Sequence, residues 1–501
     1  VAVVSIDALG FPSVLADRVR ARVPRIAGRN ILIGATHTHS APCCYAFPDG
    51  RGGHTGDLAY IDSVCAKAAE AINGAIDNLR PARIKVATDE ARGKIAYNYY
   101  APDLYDRRMS VIAAATPDGR TIATLVNYAV HPEVLGPGVG ILSPDLVGPL
   151  CARIEQESGG VALFMNGAQG GMITADNRDL DRPRDSLRAY WDDHRTWDES
   201  LRIGHTMADE ALRIVRDAPL QPDPTLFCDS IDVRFPVESD AIWNVVLHSP
   251  LRYPHNDDRS ITTRINLVNL GTAQIVTIPG EALPNIGFYL KRKMRGEHNL
   301  LFGLTNDAFG YILTKVDYKS FPRYDYVSRV SPGELTGEIL IDRSLELVAR
   351  SPVPDQRQVE ALNRTNQKSP KREEPSVTLV DGSVKAVDFA RNRITIAVAV
   401  LKEGVKQTED QSFDLAKDVP IFLDNRIAED EPIQPGNLGN LTDGTFVNLR
   451  LDDDKKTVLK LTGVGPDLGG LFKTVDANKN TITLTLKENG QFSLNNTYAI
   501  A

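Results

Sequence analysis

Two histidines one residue apart, in Ala35-Thr36-His37-Thr38-His39-Ser40-Ala41-Pro42, are the sharpest local sign of chemistry in the chain. They follow the β-branched run Ile31-Leu32-Ile33. If the extended conformation persists, His37 and His39 share one face, because side chains at i and i+2 do so in a strand. Neutral imidazole is a good zinc ligand, so the pair reads either as a metal half-site or as two structural histidines bonded to backbone. A second apolar run ends in Asn127-Tyr128-Ala129-Val130-His131-Pro132, and a third, Gln274-Ile275-Val276-Thr277-Ile278, leads into Pro279-Gly280-Glu281. Taken singly, His131 reads as a core or loop histidine, and Glu281 as a helix N-terminal carboxylate favoured by the dipole. In open α/β sheets ligand sites lie outside the carboxyl ends of strands, so strands ending in His, His and Glu could converge on one ion.

The elements that must hold these groups follow from the hydrophobic pattern. From residue 1 to about 350, β-branched runs alternate with stretches of helical periodicity, which predicts an α/β domain, a mixed sheet flanked by helices. Strands are expected at 1–7, 30–34, 121–126, 161–165 and 274–278, and amphipathic helices at 58–79 and 146–157. Residues 351–376 carry Pro352, Pro354, Pro370 and Pro375 among charged and amide residues and read as a linker. Beyond it the helical period disappears, and 377–501 reads as an all-β module. Within that module, 382–396 (GSVKAVDFARNRITI) returns as 470–484 (GLFKTVDANKNTITL), an internal repeat whose tips, 388–392 and 476–480, are expected to be Asx-stabilised hairpin turns. The run Asp452-Asp453-Asp454 lacks the Gly and terminal Glu of an EF-hand loop and reads as a solvated turn ahead of a calcium site.

Length and composition set the outer bounds. The 501 residues allow about two to four domains. A 42% hydrophobic and 24% charged composition is that of a globular protein. The formal charge of -8 provides no global basic field, which argues against nucleic acid as a partner. No run approaches the ~18 apolar residues of a membrane span. Five cysteines without a CxxC pair exclude a zinc ribbon; Cys43-Cys44 could pair with Cys65 or another thiol, or remain free.

In order and spacing, several segments between Val1 and Gly333 resemble the neutral, non-lysosomal ceramidases in their amino-terminal catalytic domain. These are Val4-Ser5-Ile6-Asp7-Ala8-Leu9-Gly10, the His37/His39 segment, Asn127 to Pro132, Ser143-Pro144-Asp145, Asn166-Gly167-Ala168-Gln169-Gly170, Pro279-Gly280-Glu281 and Asn306-Asp307-Ala308-Phe309-Gly310-Tyr311. The resemblance implies one zinc per chain, held by His37, His131, Glu281 and Tyr311. His39 would face the same pocket without binding the ion, stabilising an oxyanion or relaying a proton, and Tyr324 would assist at the carbonyl, with Tyr318 and Tyr326 as close rivals. The chain departs from the family in three places. Where the family has a Gly-Asp-Val-Ser-Pro-Asn-like segment with a serine implicated in catalysis, this chain has Gly170-Gly171-Met172-Ile173-Thr174-Ala175-Asp176-Asn177. Asn98 is followed by Tyr99 and Tyr100 rather than by an arginine, and the repetitive C-terminal module is unlike the family's immunoglobulin-like domain.

The reading is therefore a zinc-dependent amidohydrolase acting on a small amphipathic N-acyl substrate, ceramide or a related compound, located outside the cytoplasm. A barrel amidohydrolase shares the His-x-His pair, but no later histidine ends an apolar strand as that class requires. The non-enzyme alternative is a catalytically altered, secreted structural or binding protein whose β repeats mediate self-association or glycan binding.

Overall fold

The computed structural model describes residues 1–136, 138, 140–185, 190–221, 223–355, 378–402, 405–416, 419–424, 434–435, 441, 444–452, 454–464, 470–476, 481–488 and 491–499. The chain forms two compact units, Val1–Leu362 and Asn363–Ala501. Most of the proline-bearing linker, from 356 onward, lies outside the described residues.

The first unit contains two mixed four-stranded sheets where the sequence led us to expect one. The first joins Arg83–Glu90, Arg108–Ala115, Thr121–Tyr128 and Val161–Asn166, antiparallel except for the last pair. The second joins Leu226–Pro236, Ser260–Leu270, Ala273–Thr277 and His298–Phe302 with the same sense of pairing. Period-two alternation explains how each sheet is buried on both faces. In Arg108–Ala115, Met109 and Val111 face the helices Val147–Ser158 and Trp197–Arg216, packing on Leu150, Ile154, Ile203 and Met207. Ile112 points the other way, into a core shared with Ile84, Val86, Ile275, Leu300 and Phe302 that joins the two sheets face to face. The outer face of the second sheet, with Phe235, Ile265 and Leu301, is covered by Ile286, Leu290, Leu340 and Leu347 of the helices Pro284–Lys293 and Thr336–Arg350. The order of layers is helix, sheet, sheet, helix, and each large apolar side chain buried contributes roughly 1.5–3 kcal/mol.

Helix ends follow local chemistry. Thr196 accepts from the Glu199 amide at 3.2 Å to start Trp197–Arg216, and Asp57 accepts from the Ala59 and Tyr60 amides to start Leu58–Asp77. Val147–Ser158 stops at Gly159, whose φ of 71° suits glycine. A separate parallel pair, Ala2–Ile6 with Ile31–Ala35, packs through Ile31 and Ile33 on Leu15, Ile61 and Cys65 of the helices Ser13–Ala21 and Leu58–Asp77. Cys43, Cys44 and Cys65, like the other two cysteines, are free thiols. Among the described residues no helix is long and apolar enough to cross a membrane.

In the second unit, Thr378–Asp388, Arg393–Lys402, Val405–Leu415, Phe446–Leu451 and Thr457–Val464 form a closed five-strand barrel, because Val405–Leu415 also pairs with Thr457–Val464. Its core includes Ile394, Ile396, Phe413, Val447, Leu449 and Leu461. Gly470–Asp476, Thr481–Glu488 and Gln491–Ala499 form a separate three-stranded sheet. Both copies of the repeated sequence are hairpins. Register slips between Val384 and Ala386 in one and between Phe472 and Thr474 in the other, so the matching residues Lys385 and Lys473 occupy matching bulges. At the first tip Asp388 accepts from the Arg391 amide at 3.0 Å, and Asn392 has φ 49°. The second tip, 477–480, lies outside the described residues. Asp454 accepts from the Lys456 and Thr457 amides, as a turn aspartate does.

Candidate metal centre

Three strands deliver the site, and they belong to three different sheets. Ile31–Ala35, Thr121–Tyr128 and Ala273–Thr277 are each half of a parallel pair, and the chain leaving each carboxyl end carries His37, His131 or Glu281. The segment after Phe302 fastens them together: Leu304 donates to Gly280 O at 3.0 Å, Ala35 donates to Leu304 O at 3.1 Å, and Gly303 donates to Asn166 O at 2.9 Å. Glycine is required at Gly303, where a Cβ would lie 2.1 Å from Gly167 O, and at Gly170, where it would lie 2.1 Å from Glu281 O.

His37 does not continue the strand. Extension ends at Ala35, and His37 has φ 70°, a left-handed conformation that costs a non-glycine residue about 1–3 kcal/mol. Its amide donates to Ala8 O at 3.0 Å, and its Nδ1 lies 2.5 Å from Leu9 O. The two histidines of the motif therefore meet by a backbone reversal rather than by strand alternation, with their Nε2 atoms 3.4 Å apart. His131 is fixed similarly: its amide and its Nδ1 both lie 2.8 Å from Ile173 O. A carbonyl only accepts, so both Nδ1 atoms carry the proton and both Nε2 atoms present lone pairs.

Those lone pairs face a carboxylate. Glu281 Oε2 lies 3.4 Å from His37 Nε2 and 3.2 Å from His131 Nε2. Neither His131 Nε2 nor Glu281 Oε2 has an aligned hydrogen-bond partner, although both are buried. Three acceptors converging out of water are unfavourable unless a cation lies among them. Ligand atoms of His37, His39 and His131 fall within 4.8 Å of one another. Two imidazoles oriented by backbone carbonyls and one carboxylate fit a zinc-type ion. The charges respond to this crowding. Burial lowers the His37 pKa to about 4 against the pull of Glu281, and it lowers that of His39 as well. Burial alone would raise the pKa of Glu281 and lower that of His131; His37 and His131 instead hold Glu281 below its ordinary value, and Glu281 with Glu133 holds His131 above its own.

The remaining expected site residues fall as follows. Tyr311 is the register partner of Glu281 in the short parallel pair Glu281–Ala282 with Tyr311–Ile312, and its hydroxyl lies 3.4 Å from Met172 Sδ. His39 donates its amide to Pro132 O at 3.1 Å and places Nδ1 3.6 Å from Glu133 Oε2. Tyr324 is buried against Phe321 and Tyr100, ring centroids 4.2 and 5.2 Å away, in an apolar cluster that also holds Tyr311 and Met172. A cavity of about 450 Å³ reaches His37, His39, Glu281 and Tyr311, and Tyr326 rather than Tyr324 is among its lining residues. Its walls are largely apolar, with Phe47, Ile242, Val246, Ile261 and Phe309. The tyrosines 97, 99 and 100 do not line the cavity: Tyr97 stacks under Arg178 at 3.9 Å, Tyr100 packs on Tyr324 behind Tyr311, and the Asn98 side chain closes the turn by accepting from the Tyr100 amide.

Three contributors had no assigned role in the sequence. Asn166 Nδ2 donates to Thr36 O and Val130 O, and its Oδ1 accepts from Val130 N, so one side chain links the two histidine segments. Asp145 accepts from the Leu135 and Leu146 amides, next to Ser143, whose carbonyl accepts from Thr38. Glu133 faces His39; the only signal for it was a carboxylate two residues beyond His131.

Fold and donor set together define an α/β protein with a buried two-histidine, one-carboxylate centre at the head of an apolar cavity. Two solved structures share its fold: neutral ceramidase from Pseudomonas aeruginosa, with a TM-score of 0.55 and 15% identity over 92% of this chain and 90% of that one, and a ceramidase complexed with C2, with a TM-score of 0.54 and 14% identity over 92% and 91%. At this identity the likeness is one of fold. No family model and no curated protein matches the sequence.

Proposed function

We propose that the chain is a zinc-dependent amide hydrolase acting on a small N-acyl substrate, ceramide or a related N-acyl compound. The observation that carries this reading is the buried convergence of His37 Nε2, His131 Nε2 and Glu281 Oε2 at the head of an apolar cavity. The fold shared with two ceramidases supports it. His37, His131 and Glu281 would hold the ion, with Tyr311 beside Glu281 as a further ligand. Zinc bound there supplies Lewis acidity and lowers the pKa of water towards 7.

The chain's own residues do the rest. The walls formed by Ile242, Val246, Ile261 and Phe309 take the acyl chain and exclude water, which orients the amide carbonyl toward His37 and Glu281. His39 is less buried than His37 or His131 and carries a second nitrogen at the site, so it is placed to hold a proton at Nε2 as the amide is cleaved. Tyr324, in the cluster behind Tyr311, is assigned to the carbonyl side, with Tyr326 as the tyrosine on the cavity wall.

A hydrolysis screen over ceramides, N-acyl amino acids and N-acyl amino sugars, with chelator and with zinc restored, tests this function. Chelator-sensitive release of fatty acid, together with near-stoichiometric zinc, is the expected result. A folded, metal-free chain inert toward all three classes refutes it.

A further inference from the structure

We propose that Tyr45 is a specificity-determining residue whose hydroxyl donates to an oxygen on the second or third carbon of the acyl chain, so that the preferred substrates are hydroxylated beside the scissile amide. The proposal rests on the hydrolase reading for placing an acyl chain in the cavity. Tyr45 lines that cavity, and the tip of its ring reaches the segments that hold the centre. A Cβ on Gly10 would lie 1.9 Å from the Tyr45 hydroxyl oxygen and 2.8 Å from Ala308 Cβ, so the phenol fills the space that a glycine leaves open there. Gly10 follows Leu9, whose carbonyl faces His37 Nδ1. Ala308 leads to Gly310, whose carbonyl accepts from the Glu281 amide at 2.9 Å. Of the charged groups, Glu281 acts most strongly on the phenol. The hydroxyl therefore stands beside the first atoms beyond the amide, not at the far end of the chain's path.

The ring is held before any ligand arrives. The Ser249 hydroxyl donates to Ala46 O at 2.9 Å, the Tyr253 hydroxyl donates to Tyr45 O at 3.1 Å, and the Tyr45 ring stacks on Phe47 with centroids 4.8 Å apart and 13° between the planes. None of these contacts uses the Tyr45 hydroxyl, which has no hydrogen-bond partner among the described residues. Burial raises its pKa well above the ordinary value, so the phenol keeps its proton and can donate it to a hydrogen bond. A fixed donor facing a largely apolar space is costly unless a polar atom enters with the ligand. A plain alkyl chain would strip the hydroxyl of water and return no bond, whereas an acyl hydroxyl accepts from it; leaving a polar group of a site unpaired is how such sites discriminate. The plainer account makes Tyr45 a packing residue whose ring fills the wall and whose hydroxyl is satisfied by water.

Tyr45→Phe in the full chain separates these accounts, because it removes the hydroxyl and keeps the stack on Phe47. Amides of one amine with decanoic, 2-hydroxydecanoic and 3-hydroxydecanoic acids are compared on the zinc-loaded protein. A hydroxylated amide should exceed the decanoyl amide about tenfold in kcat/KM in the wild type and by no more than about twofold in Tyr45→Phe. The variant should lose nothing on the decanoyl amide and should melt no lower than the wild type, since no bond within the protein is broken. Calorimetric titration of the metal-free protein with the three primary amides, decanamide and its 2- and 3-hydroxy derivatives, reads the same preference without turnover. Equal kcat/KM for all three acyl chains in the wild type, a preference that survives in Tyr45→Phe, or an equal loss on all three in that variant would overturn the proposal. The two readings fail separately. Plain and hydroxylated amides cleaved equally well leave the hydrolase reading standing and sink this one, whereas an inert wild type that binds the hydroxylated amides more tightly, and only while Tyr45 is present, does the reverse.

Discussion

Asn166 should be among the most sensitive positions in the chain, although it is neither a ligand nor on the cavity wall. Its side chain is fully buried and bonds Thr36 O at 3.1 Å, Val130 O at 2.8 Å and Val130 N at 3.2 Å. Thr36 precedes His37, and Val130 precedes His131. Asn166→Ala leaves these three backbone groups without a partner in a site closed to water. Each unsatisfied group costs roughly 1–3 kcal/mol, and because all three share one side chain the sum is not additive, so we expect about 3–5 kcal/mol. Gly167 N, which also bonds Asn166 Oδ1, keeps its second acceptor, Tyr128 O, at 3.0 Å and adds little. Loss of the tie should also weaken zinc binding about 10–100-fold, the range for removing a residue that orients ligands. Asn166→Asp isolates the donor: it keeps the bond from Val130 N but turns an oxygen toward the Thr36 and Val130 carbonyls. Urea unfolding of the metal-free chain, with zinc titration against a competing chelator, reads both effects. Stability of Asn166→Ala within about 1 kcal/mol of the wild type, with unchanged zinc affinity, would refute the reasoning.

Other expectations follow from the same geometry. His131→Ala and Glu281→Gln each remove one of three converging donors, so zinc measured by mass spectrometry should fall well below one equivalent and chelator-sensitive hydrolysis should be lost in both. Val246→Trp fills the cavity wall and should lower kcat/KM for long acyl amides about tenfold or more while sparing acetyl amides; equal effects on both would place the acyl chain elsewhere. Lys291 and Asp106 form a 2.9 Å pair with both side chains under 10% exposed. Asp106→Ala should therefore cost about 3–5 kcal/mol, and the double variant Asp106→Leu/Lys291→Met should cost less than the single one. Burial would raise the Asp106 pKa, but Lys291 and Arg108 hold it below its ordinary 3.8. Its stabilisation is present above that value and is lost as pH falls through the lower folded pKa, so acid unfolding of Asp106→Asn should be less steep below about pH 4.

The sequence was most legible where one physical rule governed the outcome. Period-two and helical runs placed strands at Ile31–Ala35, Thr121–Tyr128, Val161–Asn166 and Ala273–Thr277 and helices at Leu58–Asp77 and Val147–Ser158, each within about three residues of expectation. Residues buried on both faces defeat the next step. A strand such as Arg108–Ala115, apolar on both sides, does not state whether its second face meets a helix or another sheet, which is why one expected sheet became two. Closure of the barrel is equally silent, because a strand's two pairing edges carry no side-chain signature.

For the site, the residue types were legible and the means of bringing them together were not. His37 reaches its neighbours through a φ of 70° at a non-glycine position, a choice the sequence around it does not announce. It persists because the Ala8 and Leu9 carbonyls hold both the amide and the ring. That strain has a use: an extended His37 would place its ring by strand geometry alone, whereas the reversal aims Nε2 at Glu281, which arrives from a different sheet. Convergence of three sheets also demands a tie near the ligands, and Asn166 provides it from a fourth strand, Val161–Asn166. A polar residue at a strand end reads in sequence as an ordinary terminator. Only the fold shows that its amide spans the two histidine segments, so stability and metal affinity should fall together when it is removed.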